Sequence, residues 1–153
     1  MEELEYKSTY KVINERRCVF EKAINSRLCN CSLSERFNLA DREGVACKTA
    51  AGNALCAELL HSIRQNARFS LHLTDISGPL PHAREIKVQV GGMQGMQKLL
   101  GVAAADTNTV EDIYGVANAV LNRYGSISAL PFDEIVQSIV GFKGRKKRFR
   151  PVE

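Results

Sequence analysis

The sequence predicts an α+β chain, mostly helical, with a cysteine-bearing helical segment first, a short two-stranded sheet next and helices toward the C-terminus. Three observations carry this. The 153 residues, 44% hydrophobic and 25% charged, have the ordinary make-up of one domain that buries its own core. Apolar residues recur at helical spacing in several separate stretches, the mark of helices with one buried face. Two short stretches alternate apolar and polar, as half-buried strands do. Within one domain, 1–153, the chain divides into a helical cysteine-bearing part (1–67), a mixed α/β part (68–142) and a basic tail (143–153).

Residues 1–9 are polar and are expected to fray. From Tyr10 to Leu28, Ile13, Phe20, Ile24 and Leu28 follow helical spacing. Cys29-Asn30-Cys31 interrupts that pattern. Ser32 with Glu35 is a capping-box signature and predicts a short helix through Leu39. Asp41-Arg42-Glu43-Gly44 reads as a turn. A strong helix follows, capped by Thr49, with Ala51, Leu55, Leu59, Leu60, Ile63 and Ala67 on one face.

Residues 68–75 and Glu85–Val90 alternate, and with the loop Ser77–Pro81 between them they predict an antiparallel strand pair. Gly91-Gly92 would turn the chain into a short helix ending near Gly101. Val110, Ile113, Ala117, Val120, Leu121 and Tyr124 mark another helix, closed by Gly125. Pro131 opens the last one, where Asp133 and Glu134 suit the positive end of the helix dipole. Phe132, Ile135, Ile139 and Val140 are expected to face the core.

The net charge of +4 is local. Residues 143–153 hold six bases (Lys143, Arg145, Lys146, Lys147, Arg148, Arg150) against Glu153, a net +5. The rest holds 15 bases and 16 acids, a net −1. Only the tail therefore argues for non-specific contact with nucleic-acid phosphates or an acidic assembly. Its plain alternative is a solvated end. No apolar run approaches the roughly 18 residues of a membrane span. The N-terminus has no apolar signal core, so the expected location is cytoplasmic.

All five cysteines, Cys18, Cys29, Cys31, Cys47 and Cys56, fall in the first 56 residues. A reducing compartment and an odd count argue against stable disulfides. Cys56, beside Leu55, Leu59 and Leu60, and Cys18, beside Val19, suit a hydrophobic core. Cys29, Cys31 and Cys47 sit at element boundaries, where side chains are free to converge. In an extended Cys29-Asn30-Cys31 the two thiols would lie about 6–7 Å apart at the backbone. A single zinc needs its sulfurs about 4 Å apart, given Zn–S bonds of about 2.3 Å. A polynuclear iron–sulfur cluster spreads its thiolates over several irons and accepts the wider spacing.

A continuous helix over 18–28 would hold Cys18 and Cys29 about 16 Å apart. Cys56 would stand about 10 Å up its helix from Cys47. The expected ligand set is therefore Cys29, Cys31 and Cys47, completed by Cys18 or Cys56. Residues 11–48 carry eight bases and five acids, a net +3 that favours thiolates. A redox switch through Cys29–Cys31 or an activated Cys47 explains fewer of the five.

His61, His72 and His82 are separated from one another and read as ordinary residues. The stretch Val90–Lys98 resembles a phosphate loop only faintly, because it lacks the Gly-Lys-Ser/Thr end. No nucleophile elbow or paired carboxylates point to catalysis. The expectation is a small iron–sulfur (alternatively zinc) protein, an electron carrier or redox-responsive accessory subunit of a larger redox or nucleic-acid-associated assembly. The second reading is a metal-free adaptor that docks through its tail.

Overall fold

The computed structural model describes residues 2–72, 80–101 and 109–142. They form an α+β fold, mostly helical: α1 (Glu3–Ile13), α2 (Glu21–Asn25), β1 (Ser34–Leu39), β2 (Arg42–Cys47), α3 (Ala50–Ala67), α4 (His82–Leu99), α5 (Ile113–Tyr124) and α6 (Phe132–Val140). A 3₁₀ turn, Ile127–Ala129, joins α5 to α6. Phe20, Ile24, Leu59, Leu60, Ile63, Met93, Met96, Ile113, Ile135 and Ile139 are fully buried in one continuous core. Among the described residues no helix is long and apolar enough to cross a membrane. The basic tail, 143–153, lies outside the described residues.

The two-stranded sheet is present but lies elsewhere than expected. β1 and β2 form an antiparallel hairpin in which Leu39 pairs with Arg42. Ala40 and Asp41 turn it with φ of 50° and 66°, the left-handed pair that matches strand twist. The turn thus falls just before the expected Arg42-Glu43-Gly44, which are in β2. The predicted helix over 34–39 fails because its cap is engaged elsewhere. Ser32 donates its backbone N–H and its hydroxyl to Asp112 Oδ1, each at 3.0 Å. The Phe37 ring lies over Gly44, where a Cβ would come within 2.2 Å of it, so a larger residue there would have to displace the ring.

The predicted helix over 10–28 is broken into α1 and α2, and residues 3–9 are helical. Asn14 is buried and ends α1 by donating to Tyr10 Oη at 2.8 Å and to the Val45 carbonyl at 3.1 Å. A side chain tied to its neighbours in this way competes with the helix ladder.

Glu85–Val90 is helix, not strand, and α4 runs on through Gly91, Gly92 and Gly95. These glycines cost helix propensity, which close packing offsets. A Cβ on Gly91 would stand 2.7 Å from Ile139 Cα, and one on Gly95 3.1 Å from Ile135 Cα. Their bare backbones let α6 lie directly against α4. After α3 the chain turns at Arg68–His72 rather than entering a strand, and the rest of the expected strand and loop, 73–79, lies outside the described residues. The described part of 68–142 contains no strand.

The remaining helices follow the sequence closely. Thr49 caps α3, its hydroxyl accepting from the Gly52 N–H at 3.0 Å. Gly125 closes α5 at φ 90°. Pro131 precedes α6, which buries Ile135 and Ile139 but turns Val140 outward. On α3, Ala51 is exposed and Leu55 half-buried, so the buried stripe is narrower than expected. Across the α3–α4 contact, Arg64 is paired with the fully buried Glu85, which also accepts from Gln89 Nε2 at 3.2 Å.

Candidate metal centre

Four segments present one cysteine each to a single pocket. Cys18 comes from the strand-like link between α1 and α2, and Cys31 from the turn before β1. Cys47 ends β2, and Cys56 is two turns into α3. These four thiols line the pocket with Phe20 and Tyr114 among their neighbours.

The first pair is set by strand pairing. Arg17 bridges Ala46 in antiparallel fashion. The Cys18 N–H donates to the Val45 carbonyl at 2.9 Å, and the Cys47 N–H to the Arg16 carbonyl at 2.8 Å. Residues opposed in an antiparallel pair share a face, and so do residues two apart along a strand. Cys18 opposes Val45, and Val45 is two residues from Cys47. Cys18 and Cys47 therefore lie diagonally on one face of the same small sheet. Ser34 pairs with Cys47 from the other side.

Cys31 is placed by a tight turn. The Ser34 N–H and hydroxyl both donate to its carbonyl, at 3.1 and 2.7 Å. Cys56 lies on the face of α3 turned toward the pocket. Gly52, one turn earlier, lets the neighbouring segment close: a Cβ there would stand 2.6 Å from Leu33 Cδ1.

Cys29 is set apart. It bridges Val110 in a parallel fashion, with Val110 N–H donating to Leu28 and Asn30 N–H to Val110. This pairing carries it into the core, at 3% exposure. The sequence-based set of Cys29, Cys31 and Cys47 is thus not the set the fold gathers. The chain turns after Asn30, so Cys29 and Cys31 do not share the face that an extended segment would give them. Cys18 and Cys29 were expected at opposite ends of one helix. Breaking that helix at Asn14 is what brings Cys18 to Cys47.

The thiols feel one another. Burial and, after it, charge on Cys18, Cys31 and Cys47 push Cys56 up to about 12. Burial likewise pushes Cys18 up to about 12, opposed by the Phe20 N–H and reinforced by Cys31 and Cys47. Cys31 is raised by burial and by Asp112 and Cys47, while the N–H groups of Leu33 and Tyr114 favour its thiolate. Cys29 also reaches about 12, but from burial alone. The Cys47 thiol donates to the Thr49 carbonyl at 3.2 Å.

Two of these backbone donors come two residues after their cysteine: Phe20 after Cys18 and Leu33 after Cys31. A third, from Tyr114, belongs to the first turn of α5. Such donors favour sulfur that carries charge, whether as a thiolate or as a metal ligand. With their protons on, buried thiols near 12 are poor nucleophiles at neutral pH. All five cysteines are free. Among the described residues no three His, Cys, Asp or Glu side chains are grouped so as to hold a metal ion. Comparison with protein-family models, curated proteins and solved structures found no match.

Proposed function

We propose that this protein binds a polynuclear iron–sulfur cluster through Cys18, Cys31, Cys47 and Cys56, and that it serves as an electron carrier or a redox-responsive accessory subunit in a reducing compartment. The observation that carries the reading is the convergence of four thiols from four segments on one pocket, with the fifth excluded. Burial and mutual repulsion keep the Cys18, Cys31 and Cys56 thiols protonated in the metal-free chain. A metal's positive charge displaces those protons, so the same arrangement that blunts nucleophilic chemistry suits ligation.

The cluster is favoured over zinc by the sequence, which holds no two cysteines separated by two to four residues, the usual zinc pattern. One tetrahedral ion needs four sulfurs drawn to about 4 Å of one another. A [4Fe–4S] cluster takes each thiolate on a different iron, and a [2Fe–2S] cluster takes two on each. Filling every iron with cysteine leaves no open coordination position for a substrate, which favours electron transfer or structural duty over catalysis.

Elemental analysis of the full chain purified without oxygen tests this. Iron with matching acid-labile sulfide supports it. Stoichiometric zinc moves the site to a structural ion, and a protein free of both removes the metal.

A second activity is supported by charge alone. The +5 tail on a −1 body suits contact with a polyanion, either nucleic acid or an acidic face of a larger assembly. Salt-sensitive polyanion binding should disappear when residues 143–153 are deleted, and its survival would remove this role.

A further inference from the structure

We propose that Glu21 is a positioning residue for this centre: its carboxylate fixes the strand crossing that presents Cys18 and Cys47 to the pocket. In part this rests on the cluster reading, but the thiol placement itself does not.

Glu21 opens α2 and is 7% exposed. Both carboxylate oxygens are engaged. Oε2 accepts from the Tyr10 hydroxyl and, at 2.8 Å, from the Val45 N–H. Oε1 accepts from Arg17 Nε at 3.0 Å and Nη2 at 2.6 Å. Val45 and Arg17 are the two residues around which the crossing is built. Val45 takes the Cys18 N–H on its carbonyl, and Arg17 is bridged to Ala46 between the Cys18 and Cys47 hydrogen bonds. The Glu21 N–H closes the loop by donating to the Cys18 carbonyl at 3.1 Å.

One buried carboxylate therefore holds the segment 17–18 and the segment 45–47 in register, with α1 tied in through Tyr10. No cysteine touches it through a side chain. It acts on the ligands from the outer shell, through the backbone it holds and through the charge it sets near Cys18. An amide at this position keeps the shape but loses the second acceptor oxygen, so either Val45 or Arg17 goes unmatched.

Glu85 supplies the control. It is also buried and also paired with an arginine, Arg64, but its other contacts are Leu80 and Gln89, away from the cysteines. Glu85→Gln is expected to lower the melting temperature at least as much as Glu21→Gln.

Two measurements on the full chain test the proposal. In anaerobically purified protein, Glu21→Gln should speed iron release to an iron chelator by about tenfold, the usual size of an outer-shell loss. It should also shift the electron paramagnetic resonance signal of the reduced cluster. Glu85→Gln should change neither. The second uses chains whose cysteines are only Cys18 and Cys47 (Cys29→Ser, Cys31→Ser, Cys56→Ser) and needs no metal. Dibromobimane, which fluoresces strongly once it bridges two thiols, is applied at alkaline pH, where thiolate forms, and should bridge them in the Glu21 chain and several-fold less in Glu21→Gln. Wild-type release and spectrum, or equal bridging in both chains, overturns the proposal. So does a Glu85→Gln chain that matches Glu21→Gln. Absence of iron with Glu21-dependent bridging overturns the cluster and keeps the positioning role.

Discussion

Where α4 meets α6, two helices touch backbone to backbone, with glycines on one and Ile135, Ser138 and Ile139 on the other. Around Cys18 the contacts have another character. Short segments are joined by single hydrogen bonds to Val45, Arg16 and Glu21, and each segment contributes one thiol. The helical half is held by volume, so its stability comes from burying apolar surface. The cysteine half shares that core through Phe20, Ile24, Val45 and Cys56, but its thiols are aimed by a few directed polar links, which a ligand joining four of them would reinforce. Losses in one half should cost stability, and losses in the other should cost metal.

The largest expected effect separates the halves outright. Cys18→Ser, Cys31→Ser or Cys47→Ser should each lower bound iron by at least about tenfold, since even outer-shell losses reach that size. Circular dichroism should show the helices of all three variants intact. A variant that keeps its full iron would remove that cysteine from the set.

Truncation in the helical half should do the reverse. Leu59→Ala or Ile139→Ala, each at a fully buried site, should cost about 2–5 kcal/mol in urea unfolding. Iron per folded chain should not change. Gly91→Ala is a smaller step in the same direction. Its Cβ would meet Ile139 Cα at 2.7 Å, and overpacking of this kind costs about 1–3 kcal/mol. If Gly91→Ala emptied the metal site, the two halves would not be independent.

At neutral pH the raised thiols contribute no pH dependence to the metal-free protein. Their pKa is about 12 when folded, against 9.0 for an unperturbed thiol, and both states hold the proton. As pH climbs past 9 the unfolded thiols ionise first, so stability should fall through the window from 9 to 12. Metal-loaded protein has already lost the ligand protons, Cys29 keeping its own, and should be flatter there. Metal binding itself should release protons and weaken as pH drops. Denaturation midpoints at pH 8 and pH 10.5, with and without metal, check the sign.

Much of the helical half was legible in the sequence because its signals are local. Thr49 capping α3, Gly125 closing α5 and Pro131 opening α6 need no distant partner. The failures occur where a distant residue takes over. Ser32 spends its capping hydroxyl on Asp112, 80 positions away. Asn14 breaks a helix through Val45. Ile86, Val88 and Val90 alternate like a strand, yet the glycines after them fit the surface of α6. The concentration of cysteines in residues 18–56 pointed to one region. Which four would meet depended on the Arg17–Ala46 crossing, which no local pattern encodes. The first acid of α2, Glu21, carried no signal beyond its suitability for a helix start.

Cys29 and Cys56 form a matched pair: both buried and both pushed by burial to about 12, differing in whether they line the pocket. Iron per chain in anaerobically purified Cys29→Ser and Cys56→Ser therefore tests the central claim most directly. Cys29→Ser should keep wild-type iron, and Cys56→Ser should lose it. Iron lost with Cys29 and kept without Cys56, or no iron in the parent chain, would contradict that claim.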